Sequence, residues 1–375
     1  MHTPKKLKLC YLISDIYSSD VLENTIIKLS NFFHINVVLI NKDLKNSKIK
    51  EVLLNHNILF IEYIYKNKFD LFKILFKVLY LLWKNKYDII HCHLFEATIL
   101  GLIAGKIAGV KKRIYTRHHS TYHHIYFPKA VKFDLLSNKL ATHIVSISVA
   151  TYETLSKMEK VNPKKIFTIY HPFNTKHIQN NVSENSDYIY TKWNIPPNKY
   201  IVLCIARYVE WKGLQYIIPA FAQFLKHYPD SFLLIANAYG PFRHTIKELL
   251  SKLPPDSYRE ISFEENIYAL YKISKVFIHT PIDPLCEAFG QVYIESLITQ
   301  TPSIITLSGI AREIALHKHN FYIVPFKDSS AIFNGLIELR TNTQLVNTLK
   351  NNSKEYISLF DIDNIIPKYI ELYNK

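Results

Sequence analysis

Short β-branched runs alternate with segments of helical period along nearly the whole chain, and no other feature constrains its fold as tightly. Leu7–Ser14 predicts a strand, Val21–Phe33 a helix, Ile35–Ile40 a strand, and Phe69–Lys86 a long helix leading into strand Asp88–His93. The rhythm continues through helix Ala97–Ala108, strand Arg113–His118, helix Lys129–Leu140, strand His143–Ser148, helix Ala150–Met158 and strand Lys165–Tyr170. Elements of these lengths in this order predict a parallel sheet covered by helices on both faces. Residues 171–199 interrupt the pattern with His171-Pro172, the polar run Gln179–Asp187 and Pro196-Pro197, which reads as a linker. The pattern then restarts at strand Tyr200–Ala206 and runs to strand Tyr322–Pro325, with helices to the C-terminus. The 375 residues are therefore expected to form two α/β domains, each a doubly wound parallel sheet. Ligands of such sheets bind beyond the carboxyl ends of the strands, so chemistry is expected just after them.

The charge is uneven. Residues 1–180 hold 27 Lys and Arg against 12 Asp and Glu, while residues 181–375 hold 19 of each. The formal excess of +15 thus sits in the first half, which attracts phosphorylated substrates, anionic headgroups or nucleic acid. No RNP, KH, helix-turn-helix or zinc-finger pattern accompanies it, so no nucleic-acid partner is expected. Cys10, Cys92, Cys204 and Cys286 form no C-x-x-C pair and lie in or beside apolar runs, as reduced cytoplasmic thiols would.

The basic start Met1–Lys8 leads into an apolar stretch that stops at Asp15 without a small-residue cleavage site, unlike a signal peptide. Phe69–Trp83 is interrupted by Lys73 and Lys77 and is too short to span a bilayer. Solubility or attachment at a surface is expected. Lys66, Lys73, Lys77 and Lys84 fall near one face of the helix over 69–86, with Phe, Leu, Ile and Trp elsewhere. That pattern fits a sheet-covering helix with a charged face, or a basic amphipathic helix on an anionic membrane surface. The Tyr122–Lys132 stretch, with aromatics among His and Lys, adds weight to the second reading.

The densest chemistry is Asp283-Pro-Leu-Cys-Glu287-Ala-Phe-Gly290-Gln-Val-Tyr-Ile-Glu295, after a buried strand and opening a helix. Free amides near Phe289, Gly290 and Gln291 would form an anion site aided by the helix dipole. Glu295 lies a turn further on, about 6–8 Å along the axis, a separation that suits a diphosphate and a ribose diol. Glu287, on the loop, can reach hydroxyls on the other side of the phosphate.

This E-x7-E pair, with Phe289-Gly290 inside it, resembles the donor-sugar signature of GT-B retaining glycosyltransferases of group 1, family 4. Tyr87-Asp-Ile-Ile-His-Cys-His93 and Ile144–Ser148 resemble two strands of that family, and Ile205-Ala-Arg207-Tyr-Val-Glu-Trp-Lys212-Gly213 resembles its G-R-l-x-x-x-K-G segment. Thr301-Pro302 and Arg312-Glu313 match the tract after the second Glu, so the resemblance spans residues 7–330. It implies a GT-B fold, with two Rossmann-like domains facing a cleft. Residues 1–174 would form the acceptor side, rejoined by the C-terminal helix 360–375, and residues 175–359 the donor-binding side. The implied activity is retaining transfer of a hexose or N-acetylhexosamine from a nucleotide-sugar to a hydroxyl of a glycan or lipid-linked acceptor. Cell-envelope polysaccharide, lipopolysaccharide or glycolipid synthesis is the expected setting, in the cytoplasm or at the inner membrane's cytoplasmic face.

By the same resemblance, Arg207 and Lys212 would hold the donor diphosphate with Phe289, Gly290 and Gln291, Glu295 the ribose and Glu287 the donor sugar. His118, in Thr116-Arg117-His118, would face the reacting centre, with His119 as the alternative one register away. Neither cofactor nor metal is implied, because the family neutralises the leaving diphosphate with Arg, Lys and helix N-termini. The residues alone also allow an Arg207–Glu210 surface ion pair, solvated acids at Glu287 and Glu295, or a metal cluster among His91, His93, His118, His119, His123 and His124. No accompanying acid or Cys motif favours the cluster. Several family glycines are replaced here: Ser18 and Ser19 stand in the first phosphate loop, Ala206 before Arg207, Ala288 after Glu287, and Asn237-Ala-Tyr-Gly240-Pro241 in a later turn. A nucleotide-sugar epimerase of the same fold and a catalytically silent subunit are the competing readings.

Overall fold

Leu9, Tyr11 and Ile13 belong to one hydrophobic cluster and Cys10 and Leu12 to another, so the first strand is buried on both faces. That accounts for its unbroken apolar run, since only a parallel sheet covered on both sides needs one. The computed structural model describes residues 6–42, 47–183 and 187–375. They fall into two compact units, residues 1–173 with 360–375, and residues 174–359.

The first unit contains a parallel sheet of seven strands: β1 (Lys8–Ser14), β2 (His34–Asn41), β3 (Leu59–Ile64), β4 (Ile89–His93), β5 (Lys112–Arg117), β6 (His143–Ser146) and β7 (Ile166–Thr168). Their order is β3-β2-β1-β4-β5-β6-β7, with β1 between β2 and β4 as in a doubly wound fold. The chain leaves this unit after Phe173 and returns at Phe360. There Phe173 N donates to Phe360 O at 2.8 Å, and Ile362 N donates to Phe173 O at 2.9 Å. Helix Ile362–Asn374, capped by Asp361, then lays Ile365, Ile366, Tyr369, Leu372 and Tyr373 into the cluster that holds Leu9, Tyr11 and Ile13.

The second unit has six strands: β8 (Tyr200–Ile205), β9 (Ser231–Ala236), β10 (Tyr258–Ile261), β11 (Val276–His279), β12 (Ser303–Ile305) and β13 (Tyr322–Ile323). Their order is β10-β9-β8-β11-β12-β13, and every pairing is parallel. Both units are Rossmann-like, as the alternation predicts.

The structure departs from the sequence reading in two places. Strand β3 and the helix Lys48–Asn55 before it have no counterpart in the sequence reading. Strand β3 is an edge strand with no fully buried residue, so it lacks the apolar run that betrays its neighbours. Residues 171–199 are not a plain linker: helices Thr175–Ser183 and Asp187–Lys192 occupy them, and Ile189 and Ile195 join the core of the second unit. Residues 184–186 of its polar run, like 1–5 of the basic start, lie outside the described residues.

Helix Lys68–Asn85 covers the sheet, since Ile74, Val78 and Leu82 join the cluster of Cys10, Leu12, Val38 and Ile40. Lys73, Lys77 and Lys84 lie exposed as expected, and the outward face also carries five aromatic rings. Among the described residues no helix is long and apolar enough to cross a membrane. Cys10, Cys92 and Cys204 are buried, Cys286 is half-buried, and all four are free thiols.

Candidate active site

The second unit gathers its chemistry beyond the carboxyl ends of β8 and β11. After β8, Arg207 is exposed and makes no side-chain hydrogen bond or ion pair among the described residues, so the expected alternative pairing with Glu210 is not formed. Its backbone is anchored, because Tyr208 N donates to Tyr239 O at 2.8 Å and Phe242 N to Tyr208 O at 2.9 Å. Lys212 closes a short 3-10 turn, and Gly213 (φ +79°) follows before helix Leu214–His227. A Cβ at Gly213 would sit 1.9 Å from Thr280 O, so only glycine lets the Lys212 turn press against the end of β11.

Glu287 is the centre of this cluster. Although buried, its Oε1 accepts from Lys212 Nζ at 2.5 Å and from His279 Nε2 at 3.0 Å. Burial alone would raise its carboxyl, but the Lys212 charge and the His279 and Lys212 hydrogen bonds draw it down to about 2. Glu287 is therefore an anion at neutral pH. Burial pushes His279 below its ordinary value against the pull of Glu287, so the ring is neutral and donates through Nε2. Its Nδ1 and Thr280 Oγ1 are buried without a partner among the described residues. Ser308 Oγ accepts from Glu287 N at 3.2 Å and donates to Asp283 O at 2.7 Å, which fixes the loop.

Phe289 is buried, and Gly290 is the left-handed N-cap of helix Gln291–Ile298. The first amides of that helix have no partner within it. Glu295, half-buried one turn on, accepts from the hydroxyl of buried Tyr271 at 2.9 Å. Nearby, Tyr208 donates to Glu260 at 2.6 Å, and Glu264 accepts from Lys192, Trp193 and the Asn266 amide.

In the first unit the strand-end histidines form a row. His91 Nδ1 lies 2.6 Å from the Tyr373 hydroxyl and Nε2 2.8 Å from Thr116 Oγ1. His93 Nδ1 and His118 Nε2 are 3.1 Å apart, and the His118 ring stacks on His171 at 5.6 Å. Burial pushes His91 down to about 3 and His171 to about 4. The same desolvation, with neighbouring imidazoles, carries His93 and His118 well below the ordinary value. The row is neutral.

His119 turns away from this row. Its Nε2 lies 3.4 Å from Asp134 Oδ1, and His123 Nδ1 lies 2.8 Å from Asp134 Oδ2. These three side chains have the spacing of a metal site. Buried Arg117, 3.2 Å from Asp134 Oδ1 and paired with Glu159, already supplies a cation there. Burial would raise the Asp134 carboxyl, but hydrogen bonds from His119 and His123 and the Arg117 charge hold it well below the usual range.

Ser19 caps helix Asp20–Ser30, its hydroxyl accepting from Leu22 N at 3.3 Å while its own amide donates to Glu23 at 2.8 Å. Ser18, half-buried, directly precedes this cap. An acidic side chain thus takes the Ser19 amide that the expected phosphate loop would offer.

The structure brings Lys212 and Glu287 together, sets Glu295 one turn along the adjacent helix, and separates His118 from His119. Sequence reasoning missed His279, His171, Tyr271 and Tyr373 as site residues, and named His93 only in a family-like strand and a candidate metal cluster. Of these His279 carried the clearest signal, since it ends a strand as His118 follows one.

The description "Glycosyl transferases group 1" matches residues 186–356, and "Glycosyltransferase Family 4" matches residues 38–177. Alpha-monoglucosyldiacylglycerol synthase of Acholeplasma laidlawii is 24% identical over 290 residues, 72% of this chain and 71% of its own. The Escherichia coli UDP-Gal:alpha-D-GlcNAc-diphosphoundecaprenol alpha-1,3-galactosyltransferase is 23% identical over 313 residues, 78% of this chain and 76% of its own. HepE of Anabaena, in complex with UDP and glucose, superposes with a TM-score of 0.83 at 19% identity, covering 98% of this chain and 99% of that one. With both halves matched and the fold shared, the chain belongs to the group 1 glycosyltransferases of family 4, GT-B enzymes that transfer sugar from a nucleotide-sugar.

Proposed function

We propose that this chain is a retaining hexosyl- or N-acetylhexosaminyl-transferase acting on a hydroxyl of a lipid-linked or other cell-envelope acceptor. The observation that carries the reading is the Lys212–Glu287–His279 cluster at the end of β11, beside the first turn of helix Gln291–Ile298. Lys212 turns its ammonium to the donor diphosphate, and unpaired Arg207 brings a planar fork to the same phosphates. Amides at Phe289, Gly290 and Gln291 add helix-terminal charge as the diphosphate departs. Glu287, released from Lys212 and still held by His279, accepts hydrogen bonds from the donor sugar. An anion of such low proton affinity binds hydroxyls and does not serve as a general acid at neutral pH.

Glu295 accepts the ribose diol. Neutral His118 offers a hydrogen bond at the reacting centre, and His119 serves Asp134 instead. No metal is needed, because Arg207, Lys212 and the helix terminus together offset about two phosphate charges. The lipid-linked acceptor is supported by the two curated relatives, whose names specify a monoglucosyldiacylglycerol product and a GlcNAc-diphosphoundecaprenol substrate.

The test is to incubate the chain with UDP-, GDP- and ADP-sugars and a bacterial lipid extract, following nucleoside diphosphate release. Acceptor-dependent release that persists in EDTA supports the reading. Release of a free isomerised sugar without acceptor marks an epimerase and overturns it, as does turnover that needs an added divalent ion. Arg207→Ala should lower turnover by about one to three orders of magnitude.

A further inference from the structure

Helix Lys68–Asn85 carries two apolar stripes, and only one faces the core. The core-facing stripe is Ile74, Val78 and Leu82, flanked by half-buried Leu71, Leu75 and Leu79. Phe69, Phe72, Phe76, Tyr80 and Trp83 are exposed by 81, 61, 55, 58 and 67%. At 3.6 residues per turn these five rings share an arc of about 80°, centred about 160° from the core-facing stripe. A surface helix normally carries charge there.

The rings are already paired: Phe72 meets Phe76 edge to face at 5.0 Å, and Tyr80 lies 6.5 Å from Trp83. Strand β3 extends the apolar surface. Leu59 and Ile61 are exposed on the side of the strand that they share with Tyr63, and Lys77 Nζ lies 5.5 Å from the Tyr63 ring.

We propose that this aromatic stripe docks the chain on an anionic lipid surface, with helix Lys68–Asn85 lying in the plane of the headgroups. Charge complementarity selects that occupant. Lys73, Lys77 and Lys84 border the stripe on one side, and Lys66, Lys68 and Lys86 stand exposed at its ends. The one acid in this stretch, Asp70, is engaged in the capping box with Asn67. Basic residues around a row of Phe, Tyr and Trp suit a phosphate-rich interface, where rings with polar tips sit at headgroup depth. The eighteen-residue helix is about 27 Å long, enough for five rings to engage side by side. The proposal goes beyond the sugar-transfer reading and does not rest on it.

The experiment is flotation of the full chain with phosphatidylglycerol-rich vesicles and with pure phosphatidylcholine vesicles at low and high salt. Binding to the anionic vesicles that weakens with salt supports the proposal. Phe72→Ser with Phe76→Ser, and separately Lys73→Glu with Lys77→Glu, should each reduce it at least about tenfold. The exposed pair Lys350→Glu with Lys354→Glu, in the other unit, should leave it unchanged. Quenching of tryptophan emission by brominated lipid should occur in the wild type and largely vanish in Trp83→Phe, reading the contact without a loss of fold. Equal binding to neutral vesicles overturns the proposal, as does no binding or equal loss from both lysine pairs. A dimer in solution that Phe72→Ser with Phe76→Ser dissolves would assign the stripe to a second copy and overturn it too.

Discussion

Lys212 Nζ lies 2.5 Å from Glu287 Oε1, so the cation assigned to the donor phosphates and the carboxylate assigned to the donor sugar neutralise each other across 75 residues of sequence. Each is the other's counter-ion until a substrate supplies replacements. Phosphate would draw Lys212 away, and sugar hydroxyls would take the acceptor sites it leaves.

Lys212→Gln is expected to lower turnover by about one to three orders of magnitude and to move the acid limb of the kcat/KM profile to higher pH. Glu287 is depressed from 4.5 to about 2 in the folded chain, so its stabilising contribution is fully present above 4.5 and is lost as pH falls towards 2. Removing the ammonium raises that carboxyl and shifts the loss upward. A pH–rate series on both proteins checks it; an unmoved acid limb would separate Lys212 from Glu287.

Glu295→Ala should weaken nucleotide binding while leaving the affinity for inorganic phosphate nearly unchanged. Tyr271 donates its hydroxyl to Oε2 of this half-buried carboxylate, whose two oxygens offer about four acceptor sites in all. Calorimetric titration with UDP and GDP decides it: unchanged affinity for the preferred nucleotide removes Glu295 from the site.

Acid should destabilise the first unit through its imidazole row. His91 and His171 are depressed from 6.5 to about 3 and about 4, so each contributes stability fully present above 6.5 and lost as pH falls towards those values. Urea unfolding between about pH 4 and 6.5 should show stability falling by about 1.4 kcal/mol per pH unit for each such proton. His171→Gln should flatten the slope by about one proton. An unchanged slope would mean that His171 already binds its proton in the folded state.

Gly309→Ala should cost about 1–3 kcal/mol and lower kcat. Gly309 has φ +57°, and a Cβ there would lie 2.6 Å from Phe289 O and 2.9 Å from Glu287 Cβ, so the loop that aims Glu287 must shift. Gly109→Ala is the control: it too has positive φ, yet nothing lies within 4 Å, and it should affect melting temperature but not rate. Equal effects of the two substitutions on kcat would dissociate the Gly309 turn from catalysis.

Much of this was legible because parallel sheets announce themselves. A strand buried on both faces is an apolar run, and residues just past such runs, such as His118 and Arg207, stand out as polar residues at strand ends, while Glu287 shows through its E-x7-E spacing with Glu295. Contacts between distant segments were not legible. Nothing local marks His279 as the donor to Glu287, or Tyr373 as the partner of His91 across 282 residues. Strand β3 escaped because an edge strand needs only half its burial. In the helix over 69–86 the lysines do face outward, but period alone does not tell which of its two apolar stripes meets the core, so the exposed row of rings beside them is not legible.

The interrupted make-up of the first unit has a consequence for how the chain is born. A ribosome adding about 5–20 residues per second takes about 10–40 s to travel from residue 173 to Tyr373. Through that interval the nascent sheet lacks the helix that covers Tyr11, Ile13 and Phe33, and His91 lacks its hydroxyl partner. The inserted unit, by contrast, has every residue it needs once Leu359 has been made. The portion synthesised second is thus the first able to finish folding, and the portion synthesised first keeps an apolar face open until helix Ile362–Asn374 has been made.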